Sequence, residues 1–177
     1  TQGGGIYTYT SQQGAAAFRD TGSFDAAGSL SQENAEAFCR DFCKAFSYDT
    51  PIFTLDETGS GTATAVRLWN GTPVFNAAVT FTIDQGRVLS ASGALLPETG
   101  AETSSGQKPL SAFAALTAFQ QMRHASSSVV SSITEVSLCY ELQSTTAAPM
   151  ALVPSWRIVT DTATFYVNCI SGTVRRA

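Results

Sequence analysis

The chain has 177 residues, a formal net charge of -4 and a pI near 4.8. Its ten Lys and Arg stand singly apart from Arg175-Arg176, so there is no basic stripe on which phosphates could release counterions, and nucleic acid is not an expected partner. Apolar residues make up 44% and charged residues 14%, against roughly 25% charged in an average soluble protein, which excludes a disordered chain and indicates a folded one with Ser, Thr and Ala on its surface.

A chain of this length buries on the order of 70% of the surface its unfolded form exposes, enough for one domain or two packed halves. No run approaches the roughly 18 to 20 apolar residues of a membrane span, and the longest candidate, Phe113 to Phe119, is a helix face. The start at Thr1-Gln-Gly-Gly-Gly lacks a Met, which is what a removed signal peptide or membrane anchor leaves, so an exported origin is expected.

Along the chain, Ile6 to Tyr9 alternates like a strand, and Ala15 to Phe18 followed by Gly22 and Phe24 predicts a hairpin. Ser31 is the expected N-cap of a helix on which Ala35, Phe38, Cys39, Phe42 and Phe46 fall on one apolar stripe. A polar loop over 56–61 leads to an alternating run ending at Trp69. Asn70-Gly71 then predicts a type I′ turn, weighted above the glycosylation tripeptide Asn70-Gly71-Thr72 because both central residues of such a turn need positive φ. Val79, Phe81 and Ile83 alternate, Asp84-Gln85-Gly86 turns the chain, and Val88 to Leu96 returns. With Val66 and Leu68 facing the core, Arg67 and Trp69 face outward or toward the other half.

Residues 98–108 are rich in Thr, Ser, Gly and Glu and carry no large apolar side chain, and are expected to link the halves. A second helix is predicted from Pro109 to His124, with Ala112, Leu116 and Phe119 on its apolar face and Phe113 beside it. Val136, Leu138, Tyr140 and Leu142 alternate as a half-buried strand. Leu152 to Val159 then pairs with Phe165 to Ile170, so that Trp156 shares a face with Ile158, and Tyr166 with Asn168 and Ile170.

Two segments thus share one pattern. Thr80 to Asp84 and Gly86 to Leu89 correspond to Arg157 to Asp161 and Thr164 to Val167, each trailing into Ser-Gly at Ser92-Gly93 and Ser171-Gly172. The expected fold is α+β: two tandem helix-plus-antiparallel-sheet (αβββ) repeats with an N-terminal β hairpin. The divisions are a β segment over 1–30, a first repeat over 31–97, a linker over 98–108 and a second repeat over 109–177.

Catalytic motifs are sparse. The single imidazole, His124, lies at a helix C-terminus, where a cation complements the dipole, and no Ser occupies a Gly-x-Ser-x-Gly elbow. Cys39, Cys43, Cys139 and Cys169 permit three pairings, and with His124 could form a Cys3His zinc site, but the paired knuckles of structural zinc sites are missing, and buried small hydrophobes are the favoured reading. Asp20, Asp84 and Asp161 sit in turns, where Asp bonds the local backbone. No phosphate-cradling Gly motif occurs. No catalytic residue, cofactor or metal is therefore expected, and Arg67, Trp69, Trp156 and Tyr166 are the candidate interface.

Leu152-Val-Pro-Ser-Trp-Arg-Ile-Val159 and Thr164-Phe-Tyr-Val-Asn-Cys-Ile-Ser-Gly-Thr-Val174 resemble the closing hairpin of PepSY-like domains: a Trp-bearing strand, a short turn, aromatic-Val-Asn, and Gly before a final Val. Trp69-Asn-Gly-Thr-Pro-Val-Phe75 is similar to the repeated units of the YycH and YycI regulatory proteins, extracytoplasmic partners of a sensor histidine kinase in Gram-positive bacteria. The resemblance implies a non-enzymatic, extracytoplasmic regulatory or sensor module that binds a membrane-linked protein, itself tied to the membrane only through a segment outside these residues. The alternative is an inhibitor-like module of a secreted peptidase, since PepSY units occur in peptidase propeptides, or, third, a small-molecule or cell-envelope binder with Trp69, Trp156 or Tyr166 lining a groove between the halves.

Overall fold

The computed structural model describes residues 6–11, 14–19, 24–27, 30, 34–94, 96, 108–126, 130–143 and 151–177. The chain divides into two compact units, Thr1–Ala101 and Glu102–Ala177. Both mix helix and antiparallel sheet, so the fold is α+β. The expected linker falls outside the described residues except for Lys108.

In the first unit, β1 (Ile6–Ser11) pairs with β2 (Gly14–Arg19) as a two-stranded sheet, and β3 (Phe24–Ala27) pairs instead with β7 (Arg87–Gly93). The hairpin predicted between Ala15 and Asp25 is therefore not the one formed: the terminal hairpin is β1–β2. Helix α1 spans Ala35–Ala45, and its N-cap is Asn34, whose side chain accepts from the Ala37 amide at 3.1 Å. The expected cap, Ser31, lies outside the described residues; Asn34 supplies the same kind of oxygen to an orphan amide of the first turn. Glu36 in that turn and Lys44 in the last complement the dipole.

The apolar stripe forms as predicted. Ala35, Phe38, Cys39, Phe42 and Cys43 are buried, with Phe46 packed at the margin. They lie against a meander of β4 (Ile52–Leu55), β5 (Gly61–Trp69), β6 (Thr72–Asp84) and β7, where β4 is a strand the sequence reading missed. The Phe42 ring meets Phe81 edge-on at 5.3 Å between centroids and Phe38 meets the same ring at 6.4 Å. Asn70 and Gly71 have φ of 49° and 77°, the positive values a type I′ turn requires.

Two faces come out differently from expectation. Ala63, Ala65 and Arg67 are buried, whereas Val66 and Leu68 lie on the opposite face of β5 and are half-buried. Small side chains are needed under the Phe rings of α1, so the alanines take the inner face and carry Arg67 inward with them. The partner strand adjusts: register jumps from Val66↔Ala78 to Arg67↔Val74, a bulge in β6 that leaves both Val74 and Ala77 buried. A second bulge lets Thr82 face Ser90 and Ile83 face Val88, skipping Leu89. Consequently Leu89, matched by sequence to the buried Val167, is itself exposed, and Arg87 is exposed where Phe165 is buried. A slip of one residue in that correspondence reverses every side chain.

In the second unit, α2 spans Ala112–Ser126, three residues beyond the expected start at Pro109. Leu110 is engaged before the helix, its amide donating to the Cys169 carbonyl at 2.8 Å, and the Ser111 hydroxyl accepts from the Ala114 amide at 3.3 Å. Ala115 and Phe119 are buried, while Phe113 is 80% exposed. The sheet is a meander of β8 (Ile133–Gln143), β9 (Ala151–Thr160), β10 (Thr164–Asn168) and β11 (Val174–Arg176). Phe119 packs on Phe165 at 4.9 Å, over Ile158 and Val167. Alternation in β8 identifies the strand but not its buried side. Leu138 is 46% exposed, whereas Cys139 and Glu141 are buried, the latter accepting an ion pair from Arg175 at 2.6 Å. Ser171-Gly172 lies in the turn before β11, unlike Ser92-Gly93 inside β7. Each helix is thus followed by four strands rather than three.

Phe81→Ala should lower the unfolding free energy by about 3–5 kcal/mol in urea titrations, because three rings meet there. Asn34→Ala should cost about 1 kcal/mol and Asn34→Asp almost nothing.

Candidate functional site

The four sequence-nominated residues fall in two places, described unit by unit. Arg67 and Trp69 line an open pocket of about 390 Å³ with Ser47, Leu68, Asn70 and Gly71. β5 delivers them, the Asn70-Gly71 turn closes one wall, and the Leu68 amide donates to the Ser47 carbonyl at 2.8 Å across another. Arg67 is only 5% exposed. Its guanidinium lies 5.5 Å from the centre of the Tyr48 ring, and its Nη2 is 3.5 Å from the Leu96 carbonyl oxygen. Trp69 is half-buried at the strand end beside it.

Tyr48 was not legible as part of this arrangement. It follows the last turn of α1, bridges to Arg67 as an isolated pair, and donates its hydroxyl to the Ala94 carbonyl at 2.5 Å. Burial pushes its phenol well above the ordinary range, and the Arg67 charge only partly offsets that. The hydroxyl therefore acts as a donor and not as a base at neutral pH. The one sequence signal was an aromatic just beyond the helical stripe, whose role depends on long-range packing.

In the second unit, β9 and β10 set Trp156 and Tyr166 on opposite faces: Trp156 pairs with Val167 and Tyr166 with Arg157. Trp156 packs against the α2 core, and its indole N–H donates to the Leu110 carbonyl at 2.9 Å. Tyr166 is buried on the other face. Arg175 lies 5.9 Å from its ring centre, and the neighbouring Arg157 bridges to Glu135 at 2.8 Å. Burial raises the Tyr166 phenol and Arg157 pulls it back. Hydrogen bonds from the Ser137 hydroxyl and then Arg157 hold Glu135 below the usual carboxylate range. Cation and aromatic are arranged to be held by each other, a stiff polar face more than a reactive one.

All four thiols are buried and free. Burial pushes Cys39, Cys43 and Cys139 from 9.0 up to about 12, with Cys43 adding to the effect at Cys39, Asp49 at Cys43 and Cys169 at Cys139. The nucleophilic form of cysteine is the thiolate, so at neutral pH these groups are inert. His124 is exposed in the last turn of α2 next to Arg123.

No family model matches the chain, and no curated protein matches it. Among solved structures, the C-terminal domain of YpeB from Bacillus megaterium is similar at a TM-score of 0.43 and 12% identity, covering 97% of this chain and 88% of that one. An uncharacterized protein from Eubacterium rectale is similar at a TM-score of 0.40 and 10% identity, covering 98% of this chain and 71% of its own. Both likenesses are coarse.

Two consequences are measurable. Because the folded thiols stay protonated beyond the pH at which unfolded ones ionise, their contribution is fully present below about pH 8.5 and is lost as pH rises toward about 12, while the contribution of Tyr48 begins to be lost only above about pH 10. Urea titrations should show a falling unfolding free energy over that window, and Cys39→Ala with Cys43→Ala should shallow the slope. Arg67→Ala should cost about 2 kcal/mol through loss of the buried side chain and of its guanidinium contact with the Tyr48 ring, whereas Trp69→Ala should cost less than about 1 kcal/mol.

Proposed function

We propose that the chain is a non-enzymatic, extracytoplasmic regulatory or sensor module of PepSY-like type, akin to the YycH and YycI proteins, that binds a membrane-linked protein such as a two-component sensor kinase. Its two helix-and-meander units support a tandem arrangement in which α1 with β5–β7 corresponds to α2 with β8–β10. In that correspondence β3 borders β7 as β11 borders β10.

The observation that carries the binding role is the pocket at the β5–β6 turn. Trp69 stands at an open rim while the adjacent Arg67 and Tyr48 are already locked, so a partner would meet a preorganised aromatic anchor at little entropic cost. Protonated thiols, and an imidazole at a helix end, support the absence of nucleophilic catalysis. No described helix is long and apolar enough to cross a membrane, so contact with a membrane-bound partner would run through these surfaces or a segment beyond them.

The test is a fluorescence titration with the extracytoplasmic domains of sensor kinases from the encoding organism. Trp69 emission should shift on binding, the shift should vanish in Trp69→Phe, and Trp156→Phe should retain it. Silence across every kinase domain, together with tight inhibition of a secreted peptidase, would replace the sensor reading with the inhibitor one.

A further inference from the structure

Strand β4 ends the sheet of the first unit, pairing with β5 on one side only among the described residues. Natural edges are blunted by charge, bulges or covering elements. β4 instead carries no charge and three large apolar residues in four, Ile52-Phe53-Thr54-Leu55, with Ile52 71% exposed and Leu55 44% exposed. Its protections are its shortness and the buried Pro51 before it.

The strand also borders a groove. Phe53 and Leu55, which share one face, line a cavity of about 560 Å³ with Asn34, Ala35, Gly59 and Ile83, roofed by the first turn of α1. The direction of the free backbone groups follows from the ladder. The Asp56 amide donates to the Ser60 carbonyl at 2.9 Å, and the Thr54 carbonyl faces β5 so closely that a Cβ on Gly61 would stand 2.1 Å from it. Thr54 and Asp56 therefore direct their polar groups inward, and alternation turns those of Phe53 and Leu55 to the open edge. The same two residues thus offer backbone pairing outward and side chains toward the groove.

Charge indicates what would occupy it. Between Tyr48 and Arg67 the chain carries Asp49, Asp56 and Glu57 and no Lys or Arg, placing carboxylates at both ends of β4. All three are exposed, and Asp56 is held below the usual carboxylate range by the Thr58 hydroxyl and then the Ser60 amide, which keeps it anionic.

We propose that the open edge of β4 is a docking site for an extended peptide segment of the partner, with an alternating apolar core flanked by Lys or Arg. The segment adds as an antiparallel strand, its backbone pairing with Phe53 and Leu55, alternate side chains entering the groove under α1, and its flanking cations meeting Asp49 at one end and Asp56 with Glu57 at the other. This rests on the reading of the chain as a partner-binding module and adds where, and what kind of segment, it binds.

The test is hydrogen-exchange mass spectrometry on the whole chain with a synthetic peptide alternating Val and Thr between terminal Lys-Arg pairs. A twin with Glu-Asp pairs serves as the comparison. Residues 53–56 should gain protection with the basic peptide only, and raising the salt should weaken binding. Leu55→Lys should weaken it by about tenfold or more. Glu57→Lys, in an exposed loop where folding is not at stake, should weaken it by about threefold. Equal binding of both peptides, no protection, protection confined to other segments, or peptide-independent dimerisation through residues 52–55 would each overturn the β4 assignment. Cleavage of the peptide would overturn the non-enzymatic reading instead, so the two failures are distinguishable.

Discussion

The contact on which the first unit depends is the edge-on meeting of Phe42 with Phe81, 5.3 Å between ring centres. An eleven-residue helix is marginal in water by itself, so α1 exists because its rings are buried on the sheet. Rings that large must approach the sheet closely, and the strand beside Phe81 answers with Ala63 and Ala65. Once those alanines face inward, strand geometry places Arg67 inward too. The guanidinium is then accommodated over Tyr48 and near the Leu96 carbonyl, and the pocket beside Trp69 follows from that accommodation. A packing requirement at one end of β5 thereby shapes the pocket at the other.

The second unit solves the same problem with less cover. Phe119 on Phe165 does what Phe42 does on Phe81, and the Trp156 indole ties the sheet to the segment leading into α2. The helix covers the middle of the sheet, over Ile158 and Val167, and leaves Leu138 of β8 exposed. On the opposite face, burial is made tolerable by pairing: Glu141 with Arg175, and Tyr166 beneath the same arginine. Polar groups on this face are matched to one another, whereas the thiols of both units are kept protonated by burial.

The strands β4 and β11 show how short elements escape sequence reading. Four and three residues give no period to detect, and each is defined by the neighbour that pairs with it. Helix stripes and the Asn70-Gly71 turn were legible because their causes are local: a 3.6-residue period, and a positive φ that few residues accept. The inward turn of Arg67 was hidden because hydrophobicity favours Val66 and Leu68, and only the volume of the rings above reverses that choice.

What the sequence by itself determined was the type and rough extent of the long elements, the apolar face of α1, the turn after Trp69 and the pairing of Trp156 with Ile158 on one face. These follow from local periodicity and backbone sterics. What only the tertiary structure decided was the order in which strands pair, the bulges at Arg67 and Leu89, the placement of Tyr48 beneath Arg67 and the position of β4 at the end of the first unit's sheet among the described residues. Such features arise from side-chain volume and hydrogen-bond closure between segments far apart in the chain, and no local pattern carries that information.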